Sequence, residues 1–375
     1  MFRPSFPEAV MSHRSGPAAL LALGCAGLLA ALLATGCADR RGVVREDRTA
    51  SAVGLGAQGV VRIETRSADV HLIASPDDTV RVVTARRVEA STDDAAEAVL
   101  AQIKVTMERQ GDLLVLRVRE PERHNGRVNV QAGPWRIRRS VEIELTVAVP
   151  ARARLECETA RGDFDATGLA QDVAFVSTSG DVELHQGSGR VTVQTTSGDV
   201  TLRDLAGPAS VRVTSGDVDA VDLTGGLALR ATSGDVSASR VRGGARIETS
   251  TGDVAASEIA GAVFVSTSAG DVTLTANADS CGIETASGDV DARLSGAPRW
   301  VQVRTSSGEV GLAIPPRTGG ALDLQTASGA IAVRTELDVD SMNRNRLTGR
   351  LGGPGSVAVR TSSGDITLSA EGVAP

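Results

Sequence analysis

From Gly162 onward the dipeptide Gly-Asp returns every 18 residues, at Gly162, Gly180, Gly198, Gly216, Gly234, Gly252, Gly270 and Gly288, without a slip. A fixed period of this size marks a chain built of stacked repeats rather than a pocketed globule. Counting each glycine as zero, position −5 reads Cys157, Phe175, Val193, Val211, Leu229, Ile247, Val265 and Ile283. Position −7 is equally apolar, while −6 and −4 are mostly polar or small. Position −3 is Thr, Ser, Ala or Val. Alternation with period two means a strand with one buried face. After the Gly-Asp corner, +2 (Phe164, Val182, Val200, Val218) and +4 (Ala166, Leu184, Leu202, Ala220) begin a second strand. A third apolar point recurs at +7 and a second glycine at +9, as in Gly189, Gly207, Gly225, Gly243 and Gly261. Glycine at both corners is expected to supply the backbone freedom of tight turns.

Every repeat runs the same way, so neighbouring coils must pair in parallel, with right-handed winding expected from the crossover rule. The fold class is therefore all-β: a single-stranded parallel β-solenoid of about 12 coils of about 18 residues, flattened or three-sided in section. Aromatic residues make up only 2% of the 375 residues, whereas glycines number 41, which suits narrow coils filled by small side chains. Later coils loosen: Gly308, Gly329 and Gly364 follow at steps of 20, 21 and 35 (308 − 288, 329 − 308, 364 − 329). An early coil is legible at Val61, Ile63, Val70 and Leu72, with Ala68 in the glycine place. Between it and the next coil lies an α+β insertion. Its residues Thr92, Asp93 and Asp94 read as a helix cap and acidic first turn. This segment is expected to cap the N-terminal end of the rod, because open strand edges recruit other chains. The domain reading is 1–36 signal peptide, 37–55 tether, 56–153 first coil plus capping insertion, and 154–372 repeats.

Arg3 and Arg14 precede an apolar run at 18–34, followed by Ala34-Thr35-Gly36-Cys37. Basic residues, a short apolar stretch and small residues before a cysteine read as a bacterial lipoprotein signal, with Cys37 lipidated. A lipid places the rod on a membrane without spanning it. The run is short for a membrane span. The expected location is the cell envelope, lipid-anchored, with outer membrane or cell surface favoured.

Which residues carry chemistry? The +1 column of Asp163, Asp181, Asp199, Asp217, Asp235, Asp253, Asp271 and Asp289 stacks like charges about 4.8 Å apart. Each neighbour pair then repels by roughly 0.9 kcal/mol in water. Carboxylates that accept turn amides offset this, since hydrogen bonds to charged groups contribute about 1.5–3 kcal/mol. A calcium ladder is the competing reading, although the column offers one acid per corner. The serines before each glycine are a structural ladder, because equivalent corners cannot all be active sites. His71, His124 and His185 show no metal spacing and read as solvated. Cys157 and Cys281 fall seven coils apart, far beyond disulfide reach, and read as buried thiols. Arg123, Arg127, Trp135, Arg136, Arg138 and Arg139 cluster in the insertion as a candidate patch for an anionic ligand. Outward acidic pairs such as Asp165 with Glu183 mimic a glycosidase dyad. Aromatic platforms and a groove, which polysaccharide enzymes add, are missing from the pattern. Net charge is −7, and no basic face with interleaved aromatics is present, which excludes nucleic acid as a partner. No cofactor or metal motif is found.

The coil VQTTSGDVTL (193–202), the closing LTGRLGGPGSVAVRTSSGDITL (347–368) and VEIELTVAVPARARLECETARGDFD (141–165) together resemble the bacterial putative-adhesin β-strand-repeat family, a domain of unknown function. The resemblance implies a β-solenoid at the cell envelope and brings no catalytic residues. The expected function is therefore a non-catalytic, envelope-anchored adhesin-like binder or scaffold. A calcium-dependent β-roll is the alternative, and a polysaccharide-active enzyme is less favoured. Expected partners are the membrane, through the lipid, and a cell-wall polysaccharide or envelope protein.

Overall fold

In the computed structural model, residues 43–55, 59–121, 123–124, 127–128, 141–316 and 320–370 are described. Alternation of apolar and polar residues makes each coil two strands, as in Val191–Ser197 and Val200–Leu205. Coils pair in parallel and in register. Val193 lies beside Val211, then Leu229, Ile247, Val265, Ile283 and Val303. On the second face Val182, Val200, Val218, Val236, Val254, Val272, Val290 and Val310 do the same. Both columns are buried throughout. Each fully buried aliphatic contributes about 1.5–3 kcal/mol, so the columns are what holds the rod together.

The −3 position has its own ladder. The buried hydroxyls of Thr195, Thr249, Thr285, Thr305 and Thr361 donate to the carbonyl two residues on, at 2.9–3.1 Å. This satisfies a buried polar group where valine would otherwise be the natural choice.

The two corners differ in cause. At the Gly-Asp corner Gly198 has φ +117°, and a Cβ would lie 2.2 Å from the Gly180 carbonyl oxygen. At the second corner Gly207 needs no unusual φ, but a Cβ would lie 1.9 Å from the Gly189 oxygen. There the glycine serves close approach of backbones rather than turning freedom, which corrects the expectation. The turning is done three residues earlier, where Gln186, Asp204, Asp222, Arg240 and Glu258 take φ of 54–60°. Left-handed backbone at such residues costs roughly 1–2 kcal/mol each. Stacking compensates in part: Arg240 grips Asp222 with two hydrogen bonds, 2.6 and 2.8 Å. That contact holds the Asp222 carboxyl below its ordinary range.

The early coil, Val60–Thr65 and Asp69–Ser75, stacks directly on Arg154–Thr159 and Phe164–Thr167. The insertion does more than cap. Its Leu113–Arg119 and Val141–Pro150 continue both faces in parallel as a further rung. Only then does the pairing reverse. Lys104–Gln110 and Thr79–Ala90 run antiparallel against that rung. Val43–Gly54 pairs antiparallel with Thr79–Ala90, so from Val43 the expected tether is a strand. The helix Asp93–Leu100 begins where expected, with the Thr92 hydroxyl accepting from the Ala95 amide at 3.3 Å.

At the other end the coils are out of sequence order. Trp300–Arg304 and Val310–Ile314 pair with Ser356–Ser363 and Ile366–Ala370, the last strands of the described chain. Those in turn pair with Ala321–Ser328 and Ile331–Arg334. The final coil is thus inserted between two earlier ones. Beyond Ala321–Ser328 the pairing again turns antiparallel, through Arg346–Arg350 and Asp338–Met342. No helix among the described residues is long and apolar enough to cross a membrane.

Candidate functional site

The aspartate column is a continuous ladder. The backbone N–H of Asp181 donates to the Asp163 carboxylate at 2.9 Å, and Asp199, Asp217, Asp235, Asp253, Asp271 and Asp289 each donate to the preceding aspartate at 2.8–2.9 Å. It starts at Asp69, which accepts from Asp163, and ends at Glu309, whose amide donates to Asp289. The acceptor therefore serves the next coil, not its own turn as an Asx residue would. One bond per rung exceeds the neighbour repulsion of roughly 0.9 kcal/mol. Asn keeps the acceptor and removes the charge. Asp217→Asn is accordingly expected to leave the urea midpoint unchanged or slightly raised, while Asp217→Ala lowers stability by about 1 kcal/mol.

Cys157 and Cys281 are buried and unpaired. Burial raises both thiols, that of Cys281 to about 12, so neither forms thiolate at neutral pH. Both are expected to resist maleimide in the native chain and to react fully in denaturant; labelling followed by mass spectrometry reads this out.

The remaining expected site residues fall apart. Cys37, Trp135, Arg136, Arg138 and Arg139 lie outside the described residues. Arg123 and Arg127 sit on two short strands, Arg123–His124 and Arg127–Val128, paired antiparallel. Asp165 and Glu183 do stand in register on neighbouring strands.

The structure does present an aromatic platform, contrary to the sequence expectation. Phe264, half-buried, and Trp300, 41% exposed, lie on the outward side of the first face. Gly282 sits between them: a Cβ there would meet the Phe264 ring at 3.0 Å and the Trp300 ring at 3.3 Å. The Arg246 guanidinium lies 4.5 Å above the Phe264 ring centroid. These groups border a cleft of about 510 Å³. It opens beside the doublets Gly225-Gly226 and Gly243-Gly244, which put no side chains into it. Next to it a polar groove of about 600 Å³ is lined by Ser266, Glu284, Arg304, Gln325 and Arg360. Arg304 donates to Glu284 at 3.1 Å. Glu248 accepts from Arg246 at 2.6 Å and from Arg230 at 2.8 Å. Desolvation opposes its ionisation, but the two arginines prevail and hold it below the ordinary carboxylate range. The cleft is thus lined mainly by apolar and small residues, with Arg246 its one charged side chain and the ion pairs of the neighbouring groove close by. Sequence reading missed them because Phe264 and Trp300 fall at different positions of the repeat, 264 − 270 = −6 and 300 − 308 = −8. The glycine doublets and Gly282 were the available signal.

Parallel rungs capped at both ends define a solenoid-like repeat protein with broad outward faces. The chain belongs to the Toastrack DUF4097 family, whose profile matches residues 60–264 and 247–369. Among solved structures it is similar to a putative adhesin from Bacteroides fragilis, at 13% identity over 71% of this chain and 96% of that one, with a TM-score of 0.33. A putative cell adhesion protein from Clostridium sporogenes matches at 10% identity over 87% of this chain and 100% of that one, with a TM-score of 0.18. A putative adhesin from Parabacteroides distasonis matches at 11% identity over 86% and 96%, with a TM-score of 0.21. The comparison with curated proteins gave no match.

Proposed function

We propose that the chain is a non-catalytic, adhesin-like binder held at the cell envelope by a lipid on Cys37, and that the cleft beside Trp300 takes a sugar ring of an envelope polysaccharide. The observation that carries this is the exposed pair of rings flanking Gly282, with Arg246 already stacked on one of them. Aromatic faces take the apolar side of a sugar ring. Arg246, and in the adjoining groove the paired Glu284 and Arg304, then meet polymer hydroxyls at low entropic cost, because their partners already order them. A rod of identical rungs also suits repeated weak contacts along a polymer.

The test is binding of purified cell-wall and capsular glycans, followed by tryptophan fluorescence and by pull-down. Trp300→Ala is expected to weaken binding at least tenfold, about 1.4 kcal/mol, while leaving the melting curve in place. No glycan should be cleaved on long incubation. Equal binding by wild type and Trp300→Ala would place the contact elsewhere. Release of shorter glycan would contradict the non-catalytic reading.

A further inference from the structure

Two of the three histidines that the sequence presents as solvated converge. His71 and His185 are 114 positions apart (185 − 71), yet the stacking brings them onto one outward patch of the second face. Asp165 pairs in register with His71 on one side and with Glu183 on the other. His185 follows Glu183 by two residues, so both point outward from the same strand. The His185 Nε2 lies 2.8 Å from a Glu183 carboxylate oxygen. The His71 Nδ1 lies 3.7 Å from Asp165, and its Nε2 lies 3.8 Å from Glu144. One donor atom each from Asp165, Glu183 and His185 fall within 4.8 Å of one another.

The geometry points to a first-row divalent-cation site of the zinc type, with Asp165, Glu183 and His185 as its three protein ligands. Two donors on a tetrahedral zinc at about 2.0–2.1 Å are about 3.4 Å apart. The His185 and Glu183 donors stand 2.8 Å apart, all three donors lie within 4.8 Å of one another, and the side chains involved are partly exposed and free to adjust. One imidazole with two carboxylates forms a nitrogen–oxygen set that suits zinc over calcium, which takes six to eight oxygens. The charge agrees. Glu144, Asp165 and Glu183 contribute three carboxylates, and the one arginine in register with His185, Arg203, is engaged with Asp219 at 3.1 Å. Binding requires a neutral imidazole. Because the patch is open to solvent, a bound ion retains a face for an oxygen donor from outside. This site is separate from the aromatic cleft and does not depend on it.

The experiment uses the full chain, purified in detergent without an oligohistidine tag and stripped of metal, titrated with zinc alone by calorimetry. One equivalent is expected to bind with a dissociation constant in the micromolar range or tighter. His185→Ala should weaken it at least tenfold, and a tenfold excess of calcium should not compete. Cobalt in place of zinc should give visible bands of a tetrahedral nitrogen–oxygen site, lost in His185→Ala. Asp289→Asn, remote on the ladder, should bind as wild type. The substituted side chains are at least partly exposed, and matching circular dichroism spectra would confirm that the variants fold. Absence of zinc binding, or uptake identical in wild type and His185→Ala, would overturn the proposal.

Discussion

A chain ending at Gly355 will lose far more than its last coil. The missing strands Ser356–Ser363 and Ile366–Ala370 are an interior rung: they hold Trp300–Arg304 and Val310–Ile314 on one side and Ala321–Ser328 and Ile331–Arg334 on the other. They bury Val357, Val359, Ile366 and Leu368 almost completely. At about 1.5–3 kcal/mol each, these four residues alone carry roughly 6–12 kcal/mol. That is comparable with the whole stability of a typical domain, about 5–15 kcal/mol. The melting temperature is expected to fall by more than about 10 °C. Amides of 321–334 should lose their protection from hydrogen exchange along with the deleted segment. Were the last coil merely terminal, those amides would stay protected.

Alanine in the glycine column will be nearly as damaging. Gly216 has φ +135°, and a Cβ there would lie 2.2 Å from the Gly198 carbonyl oxygen. The contact is with backbone of the neighbouring rung, so no rotamer change relieves it. Backbone strain alone costs about 1–3 kcal/mol, and separating two rungs breaks the ladder bonds between them. Gly216→Ala is expected to lower stability by at least about 4 kcal/mol, the range of severe single substitutions. Gly111 is the control. Its φ is +64°, but a Cβ there meets nothing within 4 Å. Gly111→Ala should cost about 1 kcal/mol. Urea denaturation of the two variants separates packing from backbone conformation. Equal midpoints would mean that rung contact is not what requires the glycine.

The period and the buried columns were legible because they are local: one rung of 18 residues states which side chains face inward. Rung order was not. Val301, Leu322 and Val357 occupy equivalent places in their coils. Any of these coils offers the others the same register, so the pattern that fixes pairing within the sheet is silent on sequence order. The second-corner glycines were located correctly but, except at Gly261 with its φ of +107°, explained wrongly, since close approach of backbones leaves the same residue as a turn does. The strand from Val43 reads as polar because only one of its edges is paired, and its burial is slight throughout. The His71–His185 patch and the Phe264–Trp300 platform escaped for a common reason. Each joins residues that occur once, whereas repeat reasoning looks for what recurs.

The central claim is that each step of the repeat is one rung of a parallel stack, with the last coil displaced inward. Gln194, Arg212, Arg230, Glu248, Ser266, Glu284, Arg304, Arg360 and Gln325 lie beside one another in that order along the first face. The direct measurement is pulsed electron spin resonance between a nitroxide at position 194 and a second at 284, 304, 360 or 325, with the buried native thiols left unlabelled. At about 4.8 Å per rung the distances should be about 24, 29, 34 and 38 Å. Position 360 should thus lie closer than 325 although it is later in the chain. Distances that fail to grow with rung number, or a shorter distance to 325 than to 360, would contradict the account.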